Sequence, residues 1–209
     1  MLSVTQPTTC ERPCTKGRQF SGNTDLIVIT GGPGAGKTAV LEIIRKELCN
    51  DIVILPEAAS IVFGGGFWRL ESKTAQRASQ RAIMHIQREM ENLVQDEHKW
   101  AAGLCDRGTL DGLAYWPEDE NEFWRSMQSD LLSEYSRYKA VIHLRTPTEK
   151  LGYNHENPLR IETAAQAKAI DDRISDIWSS HPNYHEIKSN TDFLVKAQEA
   201  LKHINHYIV

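Results

Sequence analysis

LIVITGGPGAGKT, residues 26–38, joins a short apolar run to a glycine-rich turn. The run, residues 26–30, is typical of a strand that is buried on both faces of a parallel sheet. The turn, residues 31–38, matches the pattern G-x-x-x-x-G-K-[ST]. Apolar residues then recur at helical spacing, which predicts that a helix follows the turn. The stretch therefore predicts a strand, a tight loop and a helix in direct succession.

This succession predicts a phosphate-binding site, because glycines let successive backbone N–H groups turn inward towards phosphate oxygens. The start of the following helix adds its positive dipole end. Lys37 is expected to reach the β- and γ-phosphates, and the Thr38 hydroxyl to ligate Mg²⁺. A glycine turn with an incidental lysine is the structural alternative. We predict ATP and Mg²⁺ as cofactors, although the motif alone also fits GTP, with the nucleotide bound by Gly31, Gly32, Pro33, Gly34, Ala35, Gly36, Lys37, Thr38 and Ala39.

Length and composition indicate an ordinary globular chain. It has 209 residues, 40% of them hydrophobic, and a net charge of -4. One domain is expected at this length. The charge disfavours a protein that coats nucleic acid or lies on a membrane through basic residues. No apolar run approaches the roughly 20 residues of a transmembrane helix. We expect neither a nucleic-acid nor a membrane partner, and a cytoplasmic location.

The polar N-terminal stretch lacks the apolar core of a signal peptide. We predict a flexible tail over residues 1–24 and a single P-loop domain over 25–209. Cys10 and Cys14 lie on that tail and are read as free thiols, with a metal site as the alternative. Cys49 is expected at the end of a helix and Cys105 in a buried strand, so the cysteines do not suggest a disulfide framework.

The rest of the chain alternates strand-like and helix-like patterns, which is typical of a parallel α/β sheet. We predict a three-layer P-loop NTPase fold, α/β, with about five mostly parallel strands and helices on both faces. On the long helix predicted over residues 74–99, the spacing predicts an apolar stripe of Ile83, Ile86, Met90, Leu93 and Val94. An exposed part of this stripe could support a homodimer. Further strands are expected at residues 52–55, 101–105, 140–144 and 184–187, and helices at 74–99, 121–138, 164–179 and 193–206.

Three charged residues follow the predicted strands, where the carboxyl ends of parallel strands meet at one edge. Asp106 is expected to hold Mg²⁺ or its water shell; capping the next helix is the alternative. Arg107 suits contact with phosphate or substrate. Glu57 either takes a proton from an acceptor hydroxyl or only positions it; a first-turn glutamate favoured by the helix dipole is the alternative.

Arginines after the fourth strand suggest a closing lid over residues 146–163. Such arginines stabilise the charge of a transferred phosphoryl group and exclude water. We predict that Arg160 is the catalytic arginine of this lid. Arg145 lies at the end of the fourth strand. Arg173 fits a surface ion pair equally well.

Aromatic side chains also lie on predicted loops. Phe67 and Trp68 follow the glycines at 64–66, and Tyr115 and Trp116 follow the Asp106 loop. They either stack on a base or nicotinamide ring or simply pack beneath the loops.

Taken together, these segments resemble P-loop kinase-like ATP-binding proteins of the AAA-domain, nicotinamide-riboside-kinase-like group. The resemblance is carried by ITGGPGAGKT (29–38), ILPEAA (54–59) and DRGTLDGLAY (106–115). Deoxynucleoside and thymidylate kinases look more distantly similar, through Asp106-Arg107, Leu144-Arg145 and the lid arginine.

Together with the resemblance, the residues predict an ATP-dependent kinase acting on a nucleoside- or nucleotide-like acceptor. Its predicted catalytic residues, taken from the motif, the strand ends and the lid, are Lys37, Glu57, Asp106, Arg107 and Arg160. A nucleotide-dependent regulatory or binding ATPase without such an acceptor is the alternative. The guanine-reading tetrapeptide N-K-x-D does not occur in the sequence. A plain hydrolase is a third possibility, but the sequence has no glutamate beside Asp106 that would activate water.

Overall fold

The computed structural model describes residues 23–47, 51–147, 163–189 and 193–208. Over these residues the chain forms five strands and eight helices. In chain order they are β1 (Asp25–Thr30), α1 (Lys37–Glu47), β2 (Ile52–Leu55), α2 (Ala58–Gly64), α3 (Lys73–Asp96), β3 (Ala102–Asp106), α4 (Asp111–Ala114), α5 (Glu120–Met127), α6 (Leu131–Tyr135), β4 (Ala140–Leu144), α7 (Ala164–Trp178), β5 (Tyr184–Ile187) and α8 (Phe193–Tyr207).

All five strands belong to one parallel sheet in the order β2-β3-β1-β4-β5. The chain runs from β1 outward to β2, returns through β3, and then crosses to β4 and β5 on the other side. The order therefore reverses beside β1, and in open α/β sheets ligands bind at the carboxyl ends of the strands at this point. The predicted parallel fold is confirmed.

Alternation along β1 builds two cores, because successive strand side chains point to opposite faces. Ile27 and Ile29 pack with residues of α1 and α8. Leu26 and Val28 pack on the opposite face with residues of α3, α4 and α7. Each of these four side chains is at most 1% exposed. The central strand is therefore covered on both sides, and the loop over residues 31–38 begins at its buried end.

The single helix predicted over residues 121–138 is wrong. The structure has α5 and α6, separated by a turn in which Gln128 takes a left-handed conformation with φ 51°. Asp130 then caps α6 by accepting a hydrogen bond from the backbone N–H of Ser133 at 3.0 Å. The apolar spacing that suggested one helix is real, because Phe123, Met127 and Tyr135 are all buried. They belong to two helices instead of one.

The stripe predicted on the long helix is also partly wrong. Leu93 is 60% exposed, whereas Gln87 and Glu91 are buried. Glu91 accepts hydrogen bonds from Tyr138 at 2.8 Å and from Arg137 at 2.7 Å. These partners, which lie far away in sequence, replace water for a carboxylate that helical periodicity alone would place outside. The predicted homodimer stays a prediction.

Some expectations fall outside the described residues. These include Cys10, Cys14, Cys49 and all of the predicted tail except its last two residues, as well as Arg160 and most of the predicted lid, so both segments stay predictions. Cys105 is a buried free thiol in β3, as expected. Among the described residues no helix is both long and apolar enough to cross a membrane.

Candidate nucleotide-binding and phosphoryl-transfer site

The loop over residues 31–38, the P-loop, starts at the carboxyl end of β1. Its backbone needs glycine at several points, since Gly31, Gly34 and Gly36 have φ of 144°, 80° and 88°. At Gly31 the reason is also one of space: an added Cβ would lie 2.2 Å from the carbonyl oxygen of Leu144. The close approach of β4 and the reversed backbone together fix this loop, and no larger residue satisfies both.

Lys37, the first residue of α1, is buried and folds back over the loop. Its Nζ donates to the carbonyl oxygens of Gly31 at 2.9 Å and Gly32 at 3.2 Å. Burial, and then the nearby charge of Arg107, lower the pKa of Lys37 to about 8. A buried ammonium held by neutral carbonyls gains from a negatively charged partner. The lysine is therefore placed to bind an anion at this loop.

Thr38 and Ala39 are exposed at the start of α1. The first N–H groups of any helix have no partner within the helix, so those of α1 can meet an anion there. This is the geometry that the sequence motif predicts for a phosphate chain.

Asp106 ends β3, the neighbour of β1. Its Oδ1 atom is buried without a hydrogen-bond partner among the described residues. Burial raises the pKa of this carboxyl group, while the charges of Lys37 and Arg107 oppose the rise. A buried oxygen without a partner is unusual in a folded protein, and this one is an acceptor available to a ligand at the P-loop. A carboxylate at the end of β3 and a threonine hydroxyl at the phosphate loop are oxygen donors of the kind that Mg²⁺ prefers.

Arg107 lies at the centre of a cluster of charges, which we call the arginine cluster: Glu57, Arg107 and Asp111. Its Nε donates to Glu57 Oε1 at 2.7 Å, and one terminal nitrogen donates to Asp111 Oδ2 at 3.2 Å. The same nitrogen donates to the carbonyl oxygen of Gly31 at 3.2 Å. Lys37 and Arg107 therefore converge on one carbonyl of the P-loop.

The cluster keeps Glu57 ionised. Burial acts to raise the pKa of Glu57, but the Arg107 charge and hydrogen bonds from Ser60 and Arg107 outweigh it and bring the pKa to about 2. Burial also acts against the charge of Arg107, yet Tyr115, Glu57 and Asp111 raise its pKa well above the usual value. Both groups are charged at neutral pH.

Arg107 itself has a left-handed backbone, with φ 77°. Such a conformation costs a residue with a side chain about 1–2 kcal/mol and persists only where its surroundings hold it. Here the Arg107 N–H donates to the carbonyl of Ile29 at 3.1 Å, next to the P-loop. With this backbone conformation, the guanidinium contacts both the P-loop and Glu57.

Asp111 is a member of the cluster that the sequence analysis missed. It accepts hydrogen bonds from Thr30 at 2.6 Å and from the Trp178 indole at 2.7 Å, as well as from Arg107. Its side chain is buried, so these contacts replace water. The available signal was a second carboxylate soon after Asp106-Arg107 at the end of β3, where charged side chains meet at one edge of the sheet.

Two other arginines are engaged elsewhere. Arg145 pairs with Asp171 at 3.2 Å, and also with Asp172, and Arg173 donates to the carbonyl of Leu113 at 3.1 Å. Arg173 thus contacts backbone in the described structure, and the two roles suggested by the sequence stay predictions.

The aromatic residues divide. Trp116 is buried against Phe123, with ring centroids 5.4 Å apart, so the packing alternative is right there. Tyr115 lies near the site, with the Arg107 guanidinium carbon 5.8 Å from its ring centroid. Trp68 is 79% exposed and Phe67 41%.

The sheet order, the P-loop and the charges at the strand ends define a P-loop NTPase fold of the kinase-like kind. A family model described as an AAA domain matches residues 26–193, and the chain belongs to this family. Two solved structures of deoxyadenosine kinase from M. mycoides share the fold. The one with bound dATP has a TM-score of 0.62 at 16% identity, and covers 87% of this chain and 99% of its own. The one with the products dCMP and a flexible dCDP has a TM-score of 0.56 at 14% identity, with the same coverage. No curated protein matches the sequence.

Proposed function

We propose that the protein is an ATP-dependent phosphotransferase. It moves the γ-phosphoryl group of ATP to a hydroxyl or phosphate of a nucleoside- or nucleotide-like small molecule. The observation that carries the proposal is the convergence of Lys37 and Arg107 on the carbonyl of Gly31, with the Glu57 carboxylate 2.7 Å from Arg107. Phosphoryl transfer needs cations around the moving group and a polar residue that orients the acceptor. The nucleotides bound to the similar kinase structures support the substrate class.

In the proposed reaction an acceptor oxygen bonds to the γ-phosphorus as the bond from that phosphorus to the bridging oxygen breaks. ADP leaves with the electron pair. Lys37 and Arg107 neutralise charge on the phosphoryl oxygens. With a pKa of about 2, Glu57 is a weak base at neutral pH. It therefore orients an acceptor hydroxyl by accepting a hydrogen bond, and the proton passes to solvent.

Thr38 and Asp106 are the residues that would hold Mg²⁺. When bound, the ion offsets negative charge on the β- and γ-phosphate oxygens. Asp106 supports this assignment through its Oδ1 atom, a buried acceptor without a partner among the described residues. We also propose Arg160 as the lid arginine. The proposed location of the protein is the cytoplasm.

The experiment is ADP release from Mg·ATP, measured with and without a panel of nucleosides, nucleotides and nicotinamide riboside. Lys37→Ala is the blank, because it removes the ammonium while leaving the loop glycines. Strong stimulation by one compound supports the kinase and names its acceptor. Tight ATP binding with slow turnover that no compound changes overturns the kinase, and favours a nucleotide-dependent regulator.

Glu57→Gln separates the two roles of this carboxylate. An orienting role predicts a loss of about tenfold in kcat with ATP affinity unchanged, whereas a general base predicts a loss of about 10²–10⁴. Glu89→Gln, an exposed charge change on α3, is the matched control and is expected to behave as wild type. Full activity of Glu57→Gln would remove Glu57 from both roles.

A further inference from the structure

Three backbone groups of the P-loop are held by side chains that are absent from the motif. The N–H of Gly32 donates to Asp171 Oδ1 at 2.7 Å. Lys196 Nζ donates to the carbonyl of Ala35 at 2.8 Å, and Thr146 Oγ1 to that of Pro33 at 3.3 Å. These side chains come from α7, α8 and the end of β4. The loop is therefore tied to elements that close the fold well after the motif.

Asp171 is the most heavily bonded of the three. Besides Gly32, it receives hydrogen bonds from the N–H of Thr146 at 3.1 Å and from the His143 ring at 2.9 Å, and it pairs with Arg145. Burial acts to raise the pKa of Asp171, but His143 and the two N–H groups outweigh it and bring the pKa to about 2. It is a carboxylate at neutral pH, and its bond to the P-loop is charge-assisted.

Lys196 meets the loop from α8. Its Nζ bridges the carbonyl of Ala35 and the carbonyl of Arg145, each at 2.8 Å, and the residue is 5% exposed. Burial lowers the pKa of Lys196 to about 8, partly offset by the Asp171 charge. No carboxylate among the described residues pairs directly with the buried Lys196 ammonium, and a buried charge is costly to keep without close partners. Its contacts give it one evident task, which is to fasten the P-loop to the end of β4.

Gly32 shows how closely α7 approaches the loop. A Cβ there would lie 2.7 Å from the Cβ of Asp171, 2.7 Å from Thr146 Oγ1 and 2.9 Å from the carbonyl of Ala167. The loop and α7 therefore approach too closely for a side chain at position 32.

We infer that Asp171 and Lys196 are positioning residues of the nucleotide site, which hold the P-loop in its phosphate-binding shape from behind. The inference rests on the proposed function, since it assigns them to nucleotide affinity. Neither residue touches nucleotide in this assignment. They act through Gly32 and Ala35, whose neighbours supply the N–H groups that meet phosphate.

The test measures Mg·ATP binding by calorimetry with the full chain and four variants. Asp171→Asn and Lys196→Met are each expected to weaken binding about tenfold, because the first removes the charge that strengthens the bond from Gly32 and the second removes the bond to Ala35. Lys196→Arg keeps a cation and is expected to recover most of the loss. Asp172→Asn is the matched control: it makes the same charge change one residue along α7, where Asp172 bonds Lys168 and Arg145 and not the P-loop.

Hydrogen exchange separates positioning from general weakening. Positioning predicts faster exchange at residues 31–36 in Lys196→Met while the rest of α8 stays protected; Lys202→Met, an exposed change on the same helix, leaves both unchanged. The inference is overturned if folded Asp171→Asn and Lys196→Met bind Mg·ATP as wild type does, or if Asp172→Asn loses as much. Wild-type protein that does not bind Mg·ATP overturns the proposed function instead, so the two failures are distinguishable.

Discussion

The P-loop and the arginine cluster lie side by side at the ends of β1, β2 and β3, yet they are built by opposite means. The P-loop is shaped by backbone: three of its glycines have positive φ, and Gly31 has no room for a Cβ. The cluster is shaped by side-chain charge, with Arg107 between Glu57 and Asp111. The P-loop is therefore expected to be sensitive to an added side-chain atom, and the arginine cluster to the loss of a charge.

The largest expected effect is on the backbone side. Gly31→Ala puts a Cβ 2.2 Å from the carbonyl oxygen of Leu144 and at φ 144°. Strain and overpacking together are expected to lower the free energy of unfolding by about 5 kcal/mol. Urea denaturation measures it.

Gly64→Ala is the control for this change. Apart from its chain neighbours and its own helix backbone, no atom of the described residues lies within 4 Å of a Cβ at Gly64, the last residue of α2. Stability is expected to stay within about 1 kcal/mol of wild type or to rise. Equal losses from both alanine variants would show that space at Gly31 does not decide the loop.

In the arginine cluster, Arg107→Met is expected to lower the free energy of unfolding. The change leaves Asp111 and Glu57 without their shared cation, and Asp111 is buried with a side chain 4% exposed. Removing one partner of a buried pair is expected to cost about 3 kcal/mol here, at the low end because Glu57 can turn towards water. Denaturation of Arg107→Met measures it, beside Arg125→Met, whose arginine is 72% exposed and whose loss is expected to be negligible.

A smaller loss of stability is expected at acid pH, and it involves one carboxylate from each region: Glu57 of the arginine cluster and Asp171, which bonds the P-loop. The pKa values of Glu57 and Asp171 are both lowered to about 2, from 4.5 and 3.8. The unfolded chain therefore binds more protons than the folded chain as pH falls below these ordinary values. The stability that each carboxylate provides is complete above its ordinary pKa and is lost as pH falls towards about 2.

Glu57→Gln is expected to be less stable than wild type at neutral pH, and this difference is expected to shrink as pH falls from about 6 towards 3. Denaturation curves across that range measure it. A gap between the two proteins that stays constant with pH would show that Glu57 is not held ionised by Arg107.

The strands could be predicted nearly to the residue, because β1, β2 and β4 are short, largely apolar runs that need no distant partner to explain them. β3, AGLCD, is weak by propensity and was predicted from the charged residues that follow it. The P-loop could be predicted for a similar reason, since its function is written in adjacent glycines. Glu57, Asp106 and Arg107 were placed at one edge of the sheet by strand ends alone.

What could not be predicted depends on partners far along the chain. Glu91 is buried because Tyr138 and Arg137 bond it, and α5 and α6 are separate because Gln128 reverses the backbone. Asp171 and Lys196 left one trace in the sequence: each is a charge on an otherwise apolar helix stripe, between Ala167 and Ile174 in one case and beside Ala197 in the other. A charge in that position indicates a buried partner without saying which.

The close contact at Gly32 has a consequence for how related sequences are searched. The phosphate motif leaves its second position open to any residue, but here α7 fills the space that a side chain would need. Glycine at that position and aspartate at 171 should therefore vary together across an alignment, with larger residues at 32 appearing where the later helix stands further from the loop. Covariation of this pair, separated by 139 positions, would mark the chains that share this arrangement among the many that share only the motif.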